Sequence, residues 1–247
     1  MTIVISMAGL SSRFKREGYI VPKYMLYIGN KSLFNLSVSS FQNYFKSFSF
    51  KFIILDVFDT KTFIERECEL LGIDKFEIII LDKPTKGQAE TVYMGLKQMQ
   101  ISMESPFFIF NIDTFRDLFI LPDDLDKLDG YLEVFEGEGA NWSYAKTENV
   151  NSTKVVETAE KNEISNFCST GLYFFKSFGL FEIAYLNYYF LSQIYNSNEL
   201  YIAPIYNYLI GQGNNIHINL IESQKVTFCG TPSEYLSCLK IFIDKSE

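Results

Sequence analysis

Three stretches of this 247-residue chain gather small, polar and charged residues of the kind that hold a charged ligand. The first is Met7-Ala8-Gly9-Leu10-Ser11-Ser12-Arg13, followed by Lys15, Arg16 and the pair Pro22-Lys23. Small residues let backbone N–H groups approach a phosphate closely, and hydroxyls and cations can complete the cradle. The second is Lys86-Gly87-Gln88-Ala89-Glu90-Thr91, where a glycine opening a helix and an adjacent amide can offer hydrogen bonds to a base edge. The third is Asn111-Ile112-Asp113. Its carboxylate is a natural ligand for Mg2+ beside phosphates, since Mg2+ prefers oxygen donors. Each has an ordinary reading when taken alone: a surface loop with three cations, a helix start with a useful glycine, and a turn aspartate. Together they make a stronger case than any one of them. The pattern is not a Walker A loop and not a dinucleotide fingerprint, because GxxxxGK[ST] and GxGxxG are both absent.

The elements that would position these segments follow from hydropathy. Thr2–Met7, Lys51–Val57, Phe76–Leu81 and Phe107–Phe110 read as short buried strands. Between them lie a loop rich in Gly and Ser, a helix over Leu33–Phe45, and an amphipathic segment with Phe63, Ile64, Cys68 and Leu71 on one side. A further helix over Gln88–Met99 carries Val92, Leu96 and Met99 at i, i+4 and i+7. This rhythm predicts an α/β fold with a mostly parallel, Rossmann-like sheet and helices on both faces. In such open sheets ligands bind beyond the carboxyl ends of the strands. All three candidate segments fall there.

The second half changes character. Tyr131–Phe135, Asn141–Lys146, Thr153–Thr158 and Leu172–Phe175 are strand-like pieces without long helices between them. An aromatic helix over Phe178–Tyr195 follows, then a short one around Ala203–Ile210 and strands at Ile216–Leu220 and Lys225–Cys229. A closing helix runs from Pro232 towards Ile243, with Thr231 placed to cap it. No linker, repeat or low-complexity tract divides the chain. One domain over 1–247 is expected, with the parallel sheet in 1–128 and a mixed, substrate-side extension of it in 129–247.

Composition narrows the chemistry. Hydrophobic residues make up 47% of the chain and charged residues 21%, enough for a sizeable core. The 22 Lys and Arg against 30 Asp and Glu give a net charge of −8, which argues against nucleic-acid partners. A locally basic site for an anion is still compatible with that balance. Cys68, Cys168, Cys229 and Cys238 lie far apart and read as reduced core thiols, and with one histidine there is no Cys/His cluster for zinc. That single residue, His217, sits in an alternating strand-like stretch, which removes mechanisms built on a Ser–His or Cys–His pair. No basic leader precedes an apolar run at the N-terminus, and no run of ~18 apolar residues exists to span a bilayer. A cytoplasmic protein without membrane insertion is the expectation. Self-association into a homo-oligomer is left open.

At this point the residues resemble a family. Met7-Ala8-Gly9-Leu10-Ser11-Ser12-Arg13-Phe14 with Pro22-Lys23 is similar to the signature loop of nucleoside-triphosphate transferases that act on sugar phosphates and related phospho-compounds. Gly87-Gln88-Ala89-Glu90-Thr91 resembles that family's base-reading segment, and Asp113 falls where its first metal-binding Asp falls. Glu160-Lys161, Ser169-Thr170-Gly171-Leu172-Tyr173-Phe174, the segment Leu200–Asn207 and Gly230-Thr231-Pro232 also look like the branch of capsule and surface-glycan biosynthesis. The likeness spans nearly the whole chain in the right order. Within that branch, MAGLSSRF, PKYML and TKGQAETVY are most similar to the cytidylyltransferases of capsular phosphoramidate biosynthesis.

The resemblance implies transfer of CMP from CTP (or another nucleotide from its triphosphate) to a small phosphorylated acceptor, phosphorylated glutamine, with Mg2+ as cofactor and pyrophosphate released. A sugar 1-phosphate acceptor is the alternative. It also implies a GT-A-like form of the sheet, a nucleotide-binding half at 1–128, an acceptor-binding half with the closing helix at 129–247, and roles for single residues. Arg13, Lys23 and Lys161 would handle phosphate charge, with Lys161 meeting the acceptor, and Met7, Ala8, Gly9, Leu10, Ser11, Ser12, Gly87, Gln88 and Asn111 would hold the nucleotide. Asp113 and, as a weaker candidate, Glu234 would bind the metal, while Gly171, Tyr201 and Asn207 would line the acceptor pocket. Two departures stand out. Ser11 replaces the second glycine of the usual loop, and Phe228 stands where many relatives carry a second metal-binding Asp. A glycosyltransferase on a similar sheet is a rival reading, set back because Asn111-Ile112-Asp113 is not a D-x-D motif. A non-catalytic nucleotide-binding module is another.

Overall fold

Apolar residues in the first half alternate between two cores, and a sheet is what separates them. The structure, a computed structural model, describes residues 1–195 and 199–244. Its first half runs β1 (Thr2–Met7), α1 (Ser12–Arg16), β2 (Tyr27–Ile28), β3 (Lys31–Ser32), α2 (Leu33–Val38), β4 (Ser49–Ile54), α3 (Thr60–Leu71), β5 (Phe76–Ile80), α4 (Gln88–Gln98), β6 (Phe107–Asn111) and β7 (Thr114–Arg116). The second half runs β8 (Gly130–Glu136), β9 (Ser143–Thr147), β10 (Val155–Glu160), β11 (Phe167–Phe175), α5 (Phe178–Ile194), α6 (Tyr206–Gly211), β12 (Ile216–Leu220), β13 (Val226–Phe228) and α7 (Pro232–Asp244).

Strands β5, β4, β1 and β6 lie side by side and parallel, as βαβ connections require. Along β1, Val4 faces one core with Val92 and Leu96 of α4 and Phe181 of α5, while Ile3 and Ile5 face the other with Phe34 of α2 and Ile64 of α3. That two-residue period places helices on both faces of the sheet. Beyond β6 the sheet turns mixed: β11 runs antiparallel to β6 and to β8, and β12 pairs parallel with β8. The second edge of β11 is shared, with Tyr173–Phe175 on β6 and Cys168 on β9. On the opposite edge, against β8, the register shifts between Ser169 and Tyr173, and Gly171 takes φ 89°. Such a bulge disrupts pairing locally. Here the edge of β11 is unpaired between β6 and β9, and the site opens there.

Several boundaries differ from the sequence reading: strands β9 and β10 are shifted by one or two residues, the strand expected over Leu172–Phe175 starts already at Phe167, and three further differences have a visible cause. The helix expected over Leu33–Phe45 is α2 followed by a 3-10 segment at Ser39–Tyr44, with Phe41 at φ −107°, ψ 20°. The Ser40 carbonyl accepts from Phe119 N–H and its hydroxyl oxygen accepts from Arg116 N–H, so tertiary partners displace the helical ladder. The strand expected over Lys51–Val57 ends at Ile54, because Val57 N–H folds back onto the Leu55 carbonyl and Phe58 and Asp59 take positive φ. The glycine- and serine-rich loop contains a single helical turn, α1, anchored by the buried Phe14. His217 is a strand residue as expected, its ring nitrogens held by Thr153 and Asn215. The four cysteines are free and buried. Among the described residues no helix is long and apolar enough to cross a membrane.

Candidate active site

The carboxyl ends of β1 and β6, the start of α4, the bulge of β11 and the start of α7 surround one cavity of about 920 Å³. Residues Met7 to Arg13 form one wall, with Lys23 beside them. Ser11 stands in the left-handed conformation (φ 50°, ψ 37°) that glycine adopts more readily. The substitution therefore keeps the backbone path of a glycine at a strain of about 1–2 kcal/mol. Its hydroxyl oxygen accepts from Lys23 N–H at 3.2 Å, which ties the loop to the Pro22-Lys23 turn. The Lys23 ammonium lies 2.5 Å from Asp113 Oδ2. Arg13 also lines the cavity, is exposed, and among the described residues makes no ion pair.

Opposite this wall, Gly87 precedes α4 with φ 142°, and a Cβ there would lie 2.5 Å from the Leu200 carbonyl oxygen. Leu200 N–H donates to the Lys86 carbonyl at 2.8 Å, and Ala89 N–H donates to the Leu200 carbonyl at 3.0 Å. This backbone clasp joins the start of α4 to the segment carrying Glu199 and Tyr201. Gln88 Nε2 donates to Asn111 Oδ1 at 2.7 Å, and a Cβ on Gly171 would meet Asn111 Nδ2 at 2.2 Å. Gly171→Ala is therefore expected to destabilise the fold by about 1–2 kcal/mol, from the backbone alone, and to weaken nucleotide binding by pushing Asn111 away from Gln88. Thermal unfolding and a nucleotide titration check this; an unchanged midpoint and affinity would show that the bulge adapts.

The short ribbon of β13 on β7 brings the C-terminal motif to Asp113, where Cys229 N–H donates to the Asp113 carbonyl at 2.8 Å. A Cβ on Gly230 would lie 2.9 Å from Asp113 Oδ2 and 3.6 Å from Glu234 Oε2, so both carboxylates close on the same small residue. Glu234 and Thr231 also form a reciprocal cap on α7: Thr231 N–H donates to the carboxylate at 2.8 Å and Glu234 N–H to the hydroxyl at 3.3 Å. No group of three or more His, Cys, Asp or Glu gathers as a metal cage among the described residues. Mg2+ commonly needs only one or two carboxylates, taking its other oxygens from substrate phosphates and water. Asp113 and Glu234 fit that donor set. Phe228 does not contribute: its ring packs 4.5 Å from Trp142 and 5.3 Å from Phe135.

The far end of the cavity is built differently. Trp142 and Tyr201 supply aromatic surface, and Glu138, Glu160 and Glu199 supply carboxylates. Burial pushes the Glu160 carboxyl up, a shift opposed by the Ser143 hydroxyl and the neighbouring Lys161. Lys161 itself takes φ 55° and stands beside the cavity rather than in its wall, its ammonium hydrogen-bonded to the Tyr201 hydroxyl and 3.8 Å from Glu199. Burial pushes the Tyr201 phenol up, and Glu199 adds to the shift.

Fifteen of the residues singled out from the sequence thus line one cavity, and two do not. Lys161 is the first. Asn207 is the second, and the expectation for it is corrected: its amide accepts from Thr158 N–H and donates to the Thr158 carbonyl, both at 2.8 Å, fastening α6 to β10. Sequence reasoning missed Glu138, Ser143 and Glu199. Glu138 stands between Gly137 and Gly139, a loop signal that was legible, but nothing local marks Glu199.

The carboxyl ends of the parallel strands and the starts of α1, α4 and α7 thus bring two cations, two carboxylates and a glycine-led helix start to one cavity. The chain is 50% identical to a nucleoside-diphosphate-sugar pyrophosphorylase from Vibrio cholerae RC9, over 96% of this chain and 99% of that one, with a TM-score of 0.92. It belongs to the nucleoside-diphosphate-sugar pyrophosphorylase family. More distant structures share the fold: UDP-glucose pyrophosphorylase at 16% identity over 99% of this chain and 98% of the other (TM-score 0.74), and the inositol-1-phosphate CTP transferase of T. maritima at 13% over 98% and 95% (TM-score 0.69). No protein-family model matches the chain, and no curated protein does.

Proposed function

We propose that this protein is a nucleotidyltransferase, moving a nucleoside monophosphate from its triphosphate to a small phosphorylated acceptor with release of pyrophosphate. The convergence of Arg13, Lys23, Asp113 and Glu234 on one cavity carries the reading. An oxygen of the acceptor phosphate attacks the α-phosphorus, a P–O bond forms, and the bond from that phosphorus to the bridging oxygen breaks as pyrophosphate leaves. The attacking oxygen is already ionised near neutral pH, so no base is needed, in keeping with a cavity that His217 does not line. The residues supply position and charge. Arg13 meets the β- and γ-phosphates, Lys23 meets the α-phosphate, and Gln88 and Asn111 frame the base. Mg2+, when bound by Asp113 and Glu234, would neutralise phosphate charge. Lys161 turns from the rim to the incoming acceptor.

The 50% identity supports a sugar 1-phosphate as acceptor, by the name its relative carries. A second reading has its own observation. Glu138, Glu160 and Glu199 with Trp142 and Tyr201 fit a cationic group better than a plain sugar, since carboxylates pair with ammonium and aromatic faces attract it. That favours a phosphorylated amino acid as acceptor, and phosphorylated glutamine with CTP as donor, a capsule-biosynthesis reaction, is the case that the sequence resembles.

The test is pyrophosphate release with Mg2+, each of five nucleoside triphosphates, and acceptors including sugar 1-phosphates, phosphocholine and phosphorylated glutamine. Product only from CTP and phosphorylated glutamine establishes the second reading, and product only from a sugar 1-phosphate establishes the first. Trp142, the only tryptophan, lines the acceptor end, so productive acceptors are expected to change its emission. No pyrophosphate with any pair, despite nucleotide binding, would leave a binding module without turnover.

A further inference from the structure

Helix α5 is apolar on both sides. Phe181, Ala184 and Tyr185 face the core, while Ile183, Leu186, Phe190 and Ile194 form a stripe on the opposite side, flanked by Leu191 and Tyr195. These six side chains are 40–77% exposed, which on ordinary side-chain areas is roughly 700 Å² of apolar surface. The largest apolar patch of a typical monomer is about 300–600 Å². No Asp, Glu, Lys or Arg occurs from Ile183 to Tyr195, in a chain that is 21% charged. A helix that is hydrophobic all round is normally covered on all sides.

We infer that a second copy of this chain covers it, as an antiparallel α5–α5 pair about a two-fold axis. The exposed area approaches the about 800 Å² that each partner gives to a standard interface. The stripe is also self-complementary. With the axis near Tyr188 and Tyr189, Ile183 of one copy meets Ile194 of the other and Leu186 meets Leu191, the reciprocal contacts of an isologous interface. The charges that border the helix are engaged within the chain: Lys97 pairs with Glu182 at 2.9 Å, and Lys86 reaches Gln193 and the Tyr189 ring. An anionic membrane would need free Lys or Arg beside the stripe, and the chain carries a net charge of −8. That same charge makes two copies repel at long range, so association strengthens as salt screens them.

Sedimentation velocity on the full chain at micromolar concentration tests this. Wild type is expected at twice the chain mass, with more dimer at higher salt. Phe190→Glu and Leu186→Lys are each expected at the chain mass with unchanged far-UV circular dichroism. Val150→Glu, which alters a loop residue 92% exposed, is expected to leave the dimer intact. A monomeric wild type overturns the proposal, and co-sedimentation of that monomer with neutral phosphatidylcholine vesicles would assign the face to lipid. Folded α5 variants that remain dimeric overturn it as well, by placing the interface elsewhere.

Discussion

Lys23→Ala is expected to lower kcat by some ~10²–10³-fold while the fold stays intact, the effect of losing one preorganised charge worth roughly 2–4 kcal/mol in the transition state. The structure shows why the loss should be catalytic rather than structural. The Lys23–Asp113 pair is 24% and 20% exposed, so it is wet enough to contribute little to folding, about 0–1 kcal/mol. The turn that carries Lys23 is held by its backbone N–H on Ser11 Oγ, which the substitution leaves in place. Removing the ammonium also frees Asp113 Oδ2, so apparent affinity for the divalent cation should rise as turnover falls. Steady-state kinetics at saturating substrates and a cation titration separate the two effects. A variant that turns over normally would remove Lys23 from the catalytic set.

How far such a site can be read from sequence depends on whether its geometry is local. Thr2–Met7 matches β1 because a run of apolar residues between turn signals leaves few alternatives. Ser11, Ser12, Arg13 and Lys23 are close in the chain, and their gathering at one cavity wall was legible in their spacing. The break of the expected Leu33–Phe45 helix was not, because it comes from Phe119 and Arg116, more than seventy residues away. Asn207 shows the opposite error. It lies in a segment that resembles an acceptor-binding one, yet its amide is occupied by Thr158, a partner that only the pairing of α6 with β10 supplies. Glu138 reaches the cavity from the loop between β8 and β9 and Glu199 from the segment that follows α5, and no short-range pattern brings them together.

The largest stability effect is expected beneath the site. Arg116 Nε bonds both carboxylate oxygens of Glu133, at 2.8 and 2.7 Å, and the side chains are 8% and 0% exposed. Thr170, in the bulge that lines the cavity, donates to the same carboxylate at 3.1 Å. The pair therefore joins β7, which leads from Asp113, to β8 and β11. Removing one partner of a buried pair costs about 3–5 kcal/mol, because the other charge is left without a counter-ion in a dry place. Arg116→Leu should lose that much in urea unfolding, a large part of the about 5–15 kcal/mol that holds a domain together. Its pH dependence has a definite sign. Burial already pushes the Glu133 carboxyl up, and Arg116 opposes that. Without Arg116 the folded-state value rises further above the unfolded one, so the folded carboxyl takes a proton. Stability is then retained at low pH and lost as pH rises through the folded-state value, and the variant should fall furthest behind wild type at neutral pH and above. Arg116→Leu with Glu133→Leu removes the stranded charge and should recover most of the loss. A single variant within about 1 kcal/mol of wild type at neutral pH, where wider surface changes usually fall, would mean that Glu133 is uncharged in the native fold and that the pair is not what binds these strands.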